Sequence, residues 1–257
     1  MTTVCIHAKI SISWQKRYLE YFKEGFKKYS YKVIHSQEDK ITNSEITIIF
    51  GPHCWKNIEA SNKPFIFVNR KLLATSPNSV NDVVAISWNG WNGNGTFCVN
   101  NIEEQRLFKF IKESDIKEWN KTGNEIILCG QADLGRNTNF NNLNDWYNSI
   151  KINNLIFRPH PSFGTFYDHP YEKSKLAITL NSTVSLDYLL NGVPVISLCG
   201  HNPAYAITSH DIKTKIEFDR LKFFKYLANC QWHYTEIQKG SFWDQLKIIS
   251  GNKLKHY

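Results

Sequence analysis

Apolar residues along the chain fall into short runs that amphipathic stretches separate. Runs of this length are typical of buried strands, while apolar positions three and four residues apart indicate helices. In the first half the pattern predicts strands at 3–7, 31–35, 45–50, 65–69 and 83–88, and helices at 14–29 and 103–112. In the second half it predicts strands at 125–129, 155–157, 176–180 and 194–198, helices at 142–150 and 182–190, and a mostly helical tail at 216–249.

The alternation of strands and helices in two blocks predicts an α/β fold with parallel sheets. A polar, turn-rich segment at 121–124 separates the blocks. We therefore expect a hinge there and two Rossmann-like domains, 1–120 and 121–257, facing a central cleft. In such folds ligands bind beyond the carboxyl ends of the strands.

The amino-acid composition narrows the class of protein only slightly. Hydrophobic residues make up 42% and charged residues 21%, which is typical of a soluble globular protein. Aromatic residues reach 14%, and they either fill a core or line a site that stacks on bases or sugar rings. The net charge of +8 indicates either a lysine-rich solvated surface or attraction to anionic ligands.

Cysteines and the N-terminus predict the compartment. The six cysteines form no CxxC pair, and Cys5, Cys129 and Cys199 lie inside apolar runs as reduced, buried thiols do. We expect no zinc site. The chain shows no signal peptide and no apolar stretch of about 20 residues, so it predicts a cytoplasmic protein without a membrane span.

The strongest chemical signal combines Arg158 and His160 with Ser182 and Thr183. Arg158 and His160 follow a predicted strand in the sequence RPHP, whose two prolines fix the backbone. Ser182 and Thr183 open the next predicted helix, whose free N–H groups suit an anion. A simple N-cap is the plainer interpretation of Ser182 alone. Because Ser182 and Thr183 are predicted to lie beside the RPHP segment, a phosphate-binding site is the better interpretation of the two motifs together.

These motifs, in this order, resemble the C-terminal nucleotide-binding domain of GT-B glycosyltransferases. The resemblance runs from Gly130-Gln131 through RPHP and NST to Asp187 and the GVPV run at 192–195. It covers roughly residues 125–205. The motifs resemble those of capsule-polysaccharide glycosyltransferases and, more distantly, those of bacterial sialyltransferases with His-Pro and Ser/Thr motifs.

The resemblance implies a nucleotide-sugar donor, most simply a UDP-sugar, and no further cofactor. It assigns the donor phosphates to His160, Ser182 and Thr183, and the ribose to Asp187, which is shorter than the usual Glu. Gly130, Gln131 and Arg136 share the first loop of that domain. Arg136 either reaches the phosphates or is a surface charge, and Arg158 adds a cation.

The chain has no Asp-x-Asp metal motif, so a metal-independent reaction is expected, with helix dipoles and cations neutralising the phosphates. An inverting transfer also needs a base. His7 and His53 each follow a predicted strand of the first half and are candidates, although either is equally compatible with a structural role.

The acceptor remains open between two classes. The loop with Trp88, Asn89, Trp91 and Asn92 either stacks on an acceptor or is a tight structural loop. With a tail segment at 227–243 (LANCQW, then Glu236, Ile237, Gly240 and Trp243), it resembles phage-encoded glycosyltransferases. That resemblance implies hydroxymethylpyrimidine in double-stranded DNA as the acceptor. The alternatives are a surface glycan, or a non-catalytic nucleic-acid-binding module.

Overall fold

The computed structural model describes residues 2–38, 40–51, 55–61, 63–70, 72–73, 82–90, 103–132, 134, 140–164, 170–211 and 218–244, with the backbone alone at 55, 56 and 59. Contacts divide the chain into two compact units. The first unit combines Met1–Ile111 with Lys225–Tyr257, and the second unit is Lys112–Phe224.

The first unit is built on a six-stranded sheet. Its strands are β1 (Thr3–His7), β2 (Lys32–Ser36), β3 (Ile46–Phe50), β4 (Phe65–Arg70), β5 (Val83–Trp88) and β10 (Gln231–His233). The order is β10-β5-β4-β3-β1-β2, and β2, β1, β3 and β4 are parallel. Strand β5 runs antiparallel to β4, and β10 runs antiparallel to β5.

Helix α1 (Ser13–Lys27) provides much of the first unit's core. Its spacing places Tyr18, Leu19, Phe22 and Phe26 on one face, and all four are buried. They pack with β1, β3 and the tail in a single apolar cluster. The unit also contains α2 (Trp55–Ser61), α6 (Tyr234–Gln238) and a 3₁₀ turn at Glu104–Lys109.

The tail belongs to the first unit because specific contacts hold it there. Arg106 is 3% exposed and forms a bidentate ion pair with Glu236. Its guanidinium group also stacks on Trp232, with the guanidinium carbon 4.5 Å from the ring centre. Gly25 has no room for a Cβ because the carbonyl of Ile237 lies against it. The Trp243 ring packs 5.2 Å from that of Phe26.

The second unit has a four-stranded sheet that is parallel throughout. Its strands are β6 (Glu125–Cys129), β7 (Leu155–Arg158), β8 (Ser174–Thr179) and β9 (Val195–Ser197), in the order β7-β6-β8-β9. Helices α3 (Leu143–Ser149) and α4 (Val184–Leu190) belong to this unit, and α5 (Arg220–Asn229) leads the chain back into the first unit.

The predicted α/β class is confirmed, and most predicted strands appear within two residues of their expected ends. Three expectations need correction. The first sheet is mixed rather than parallel, because antiparallel strands complete one edge of it. The predicted helix at 103–112 is a pair of 3₁₀ turns, Glu104–Lys109 and Glu113–Asp115. The tail contributes the strand β10 as well as helices.

The contacts also group the chain differently from the predicted division at residue 120. Residues 112–120 lie with the second unit, where Asn120 donates hydrogen bonds to the carbonyls of Glu172 and Ser174.

Of the helices in the described ranges, none has the length and apolar character needed to span a bilayer.

Candidate functional site

The carboxyl edge of the second sheet gathers the residues of the sequence motifs. Because all four strands are parallel, their ends lie along one edge. Gly130 follows β6, His160 follows β7 and Ser182 follows β8. We call this row of loops the carboxyl-edge site.

Gly130 permits the close approach of two of these loops. Its backbone N–H donates to the Arg158 carbonyl at 2.6 Å. A Cβ at this position would lie 2.8 Å from the backbone nitrogen of His160 and 2.9 Å from the carbonyl oxygen of Arg158, closer than real Cβ atoms approach other atoms. The neighbouring Gln131 is 2% exposed, and its side-chain amide donates to the Thr179 hydroxyl at 3.1 Å. Gly130 and Gln131 therefore shape the site.

The His160 side chain is held through one ring nitrogen, and its other ring nitrogen makes no hydrogen bond with the described residues. It caps the 3₁₀ turn Pro161–Phe163, with its Nδ1 accepting from the Ser162 backbone N–H at 3.1 Å. The same Nδ1 lies 2.8 Å from the Ser162 hydroxyl. In the neutral ring this arrangement leaves the proton on Nε2. Within the described residues no hydrogen bond uses Nε2, so it is available as a donor to a ligand.

Ser182 and Thr183 stand at the start of α4, but they behave differently. The Ser182 hydroxyl accepts from the Val184 N–H at 3.3 Å, but Ser182 lies one residue before the N-cap position, which Thr183 occupies. Thr183 is exposed, and its side chain makes no capping bond. The Thr183 hydroxyl is therefore the freer of the two for a ligand.

Asn202 orders this turn, and the sequence analysis missed it. The side chain is fully buried. Its amide donates to the carbonyls of Leu180 and Ser182, at 3.4 and 3.2 Å, while its oxygen accepts from the Ser185 hydroxyl at 2.9 Å. The available signal was an Asn before Pro203, just past the last predicted strand.

Arg158, at the end of β7, and Asp187, on α4, lie close enough for their charges to interact. Asp187 is exposed as a residue, yet the protein atoms around its carboxyl raise its pKa to about 6 by desolvation, and the Arg158 charge opposes the rise. Burial also raises the pKa of the Cys129 thiol, again against Arg158. The carboxylate of Asp187 is thus easily protonated for an aspartate.

In the first unit, the predicted site residues that the structure describes make contacts within the fold. His7 is fully buried, with its Nε2 3.4 Å from the Cys5 sulfur and its Nδ1 3.4 Å from the Glu38 carbonyl. Trp88 is 8% exposed and packs in the main core. Asn89 adopts a φ of 52° and closes a turn, its side-chain oxygen accepting from the Phe65 N–H at 2.8 Å.

Four predicted site residues lie outside the described residues, namely His53, Trp91, Asn92 and Arg136. The tail segment that carried the resemblance to phage enzymes is described, and all of 227–232 is buried. Its conspicuous residues Trp232, Glu236 and Trp243 hold the tail to the first unit. Among the described residues, no three His, Cys, Asp or Glu side chains come together as metal ligands.

The parallel strands and their helices define the class of fold, a Rossmann-like α/β fold. The chain is similar to the solved structure of Thermosulfurimonas dismutans "KpsC, beta Kdo 2,7 transferase", with a TM-score of 0.51 at 13% identity, covering 95% of this chain and 100% of that one. For the "KpsC, beta Kdo 2,4 transferase" of the same organism the TM-score is 0.47 at 9% identity, covering 89% of this chain and 90% of that one. No protein-family model and no curated protein matches the sequence. The glycosyltransferase fold implied by the motifs is confirmed.

Proposed function

We propose that this chain is a glycosyltransferase of GT-B type whose nucleotide-sugar donor binds at the carboxyl-edge site. One observation carries the proposal. Gly130 brings the β6 loop against the His160 turn, and His160 presents an unused Nε2–H there. In a fold shared with a Kdo transferase, a rigid donor at the end of parallel strands suits a phosphate group.

The proposed chemistry is departure of a phosphate leaving group. The acceptor hydroxyl attacks the anomeric carbon, the glycosidic C–O bond to phosphate breaks, and the negative charge grows on the phosphate oxygens. His160 donates a hydrogen bond to those oxygens, and Arg158 and the Thr183 hydroxyl add positive potential. These groups are fixed before the reaction, so they stabilise the transition state without reorganising. Asp187 accepts from a ribose hydroxyl.

The remaining parts of the proposal concern the acceptor side. We propose that the first unit faces the donor across a cleft, as the GT-B type implies, and that no metal ion takes part. The acceptor's proton goes to a base, for which His7 and His53 are the candidates. Because His7 is fully buried, His53 is the better of the two.

A glycan hydroxyl is the acceptor that we favour. The sequence motifs resemble capsule-polysaccharide glycosyltransferases, and the similar structure is by its title a Kdo transferase. Hydroxymethylpyrimidine DNA is the second candidate, favoured by the net charge of +8, because cations bind the phosphate backbone. The tail residues behind the DNA resemblance pack inside the first unit, which weakens that alternative.

A donor screen tests the proposal. The protein is incubated with UDP-, CMP- and GDP-sugars in a chelator, with a Kdo-containing glycan, with hydroxymethylpyrimidine DNA, or with neither, and the released nucleotide is measured. We expect release from one donor class, stimulated by the glycan. Stimulation by modified DNA alone would select the second candidate, and release from no donor would contradict the function.

The matched variants are His160→Ala and His210→Ala. His210 lies in the same unit and is exposed, but its ring stacks on Tyr205 with ring centres 3.6 Å apart, and its Nε2 is used by the Tyr205 carbonyl. The His210 variant should keep its nucleotide release, whereas the His160 variant should lose it.

A further inference from the structure

We propose that Phe157 is the platform on which the donor's nucleobase stacks, an inference that rests on the proposed function. Phe157 lies in β7, the edge strand of the second sheet. Its side chain is 44% exposed, although large aromatic residues are normally buried in a strand of this kind. The ring borders the carboxyl-edge site beside Gly130, so its solvent-facing surface is open to stacking by a planar ligand there.

The position of the ring relative to His160 is fixed through Gly130. A Cβ on Gly130 would lie 3.2 Å from the Phe157 Cζ and 2.8 Å from the backbone nitrogen of His160. The tip of the ring and the His160 turn therefore flank the same glycine. A ligand with its phosphate at His160 has its adjoining nucleoside within reach of Phe157.

The ring is also held in place before any ligand binds. Tyr147 packs edge-on against Phe157, with ring centres 4.9 Å apart and planes at 73°. Tyr147 is itself fixed, since its hydroxyl accepts from the Gln131 N–H at 3.2 Å and its ring packs 4.7 Å from Trp146. An edge-on neighbour supports the ring while leaving much of its surface to solvent. Such a platform loses little conformational entropy on binding.

A stacking platform recognises the base without reading its edges. Every nucleobase has a π-face, so Phe157 selects nucleotides over free phosphate or sugar phosphate but does not by itself select one base. Removing one stacked aromatic residue typically weakens binding by roughly 5- to 100-fold. The phosphate contacts at His160 should be unaffected.

The test compares binding of the nucleotide released in the donor screen with binding of its phosphate part alone, as inorganic phosphate or pyrophosphate. Isothermal titration gives Kd for the wild type and for Phe157→Ala, Phe157→Trp and Phe108→Ala. Phe108 is the matched control, because it is 56% exposed and lies in the first unit. Thermal unfolding of each variant verifies that it is folded.

We expect Phe157→Ala to raise the nucleotide Kd by roughly 5- to 100-fold, with phosphate binding unchanged, while Phe157→Trp and Phe108→Ala bind as the wild type does. Unchanged nucleotide binding in Phe157→Ala would overturn the platform and leave the proposed function standing. Equal loss of phosphate and nucleotide binding would also overturn it. A wild type that binds neither probe would overturn the proposed function itself.

Discussion

The carboxyl edges of the two sheets treat their polar residues in opposite ways. In the first unit His7 ends the parallel strand β1 and is fully buried. In the second unit His160 follows β7, is only partly buried and presents an unused nitrogen. A histidine at a strand end is thus a weak indicator of chemistry. The hydrogen bonds that its ring already makes decide whether it can serve a ligand.

The largest effect should come from exchanging these two histidines for alanine. We expect His160→Ala to lower turnover by roughly 10²- to 10³-fold, because the side chain acts as a preorganised donor, and to lower the free energy of unfolding by about 1 kcal/mol or less through loss of its cap on the 3₁₀ turn. His7→Ala should instead lower the free energy of unfolding by about 1–3 kcal/mol, since it empties a buried site. Steady-state kinetics and urea unfolding measure both quantities.

The comparison would break if the two variants changed places. A His7 variant that stays folded yet loses turnover would make His7 the catalytic base in spite of its burial. A His160 variant with wild-type turnover would remove the phosphate site from the second sheet.

Charged residues extend the contrast, because in the first unit they hold the fold. Burial alone would raise the pKa of Glu236, but the hydrogen bonds and charge of Arg106 keep it below the ordinary value. Glu236→Gln leaves the buried Arg106 without its counter-ion and should destabilise the protein by about 3 kcal/mol in urea unfolding.

The sign of the pH dependence follows from that lowered pKa. The stability contributed by Glu236 is present above the unfolded-state pKa of about 4.3 and is lost as the pH falls through the folded value. The Glu236→Gln variant should not lose this contribution to stability as the pH falls. Glu104→Gln is the control, because Glu104 pairs with Lys225 at 3.3 Å but is 76% exposed, so the expected change is under about 1 kcal/mol. Equal effects of the two substitutions would contradict the structural role of Arg106.

The smallest effect concerns Asp187 in the second unit. Desolvation raises its pKa to about 6 against the Arg158 charge. If its carboxylate accepts from the ribose, donor affinity should fall by less than about tenfold between pH 7 and pH 5, as protonation removes the acceptor. Asp187→Asn should bind the donor more weakly at pH 7 and show a flatter profile in titrations with the nucleotide sugar.

Stability gives an independent measurement of the same group. Because folding raises this pKa, ionisation of Asp187 opposes folding, and the wild type should lose stability as the pH rises from about 3.9 to about 6. Asp187→Asn should not show that loss. An unchanged pH profile of donor binding in the variant would remove Asp187 from the ribose contact.

The sequence predicts those features that depend on local pattern. The strands at Thr3–His7, Val83–Trp88 and Glu125–Cys129 begin and end where the apolar runs do. Gly130 and His160 could be recognised because each follows such a run. Strand β10 could not, because Gln231–His233 is extended only through its pairing with β5, far away in the chain.

The remaining parts of the site depend on burial, which one sequence does not reveal. Asn202 acts on backbone carbonyls about twenty residues earlier, so the Asn-Pro pair at 202–203 predicts a turn but not these contacts. Trp88 and Asn89 stand in a sequence rich in Gly and Asn that suggests a binding loop, yet packing and a turn use both. Acceptor roles for Trp91 and Asn92 stay predictions.

The first unit is assembled from two separated stretches of chain, and this has a consequence for biosynthesis. A ribosome completes Lys112–Phe224 before it has made β10, α6 and the tryptophan that covers Phe26. Until then β5 has an unpaired edge and α1 an uncovered aromatic face, and both are prone to aggregation. During synthesis, therefore, the second unit can fold while the first unit is still incomplete, because the C-terminal part of the first unit has not yet been made.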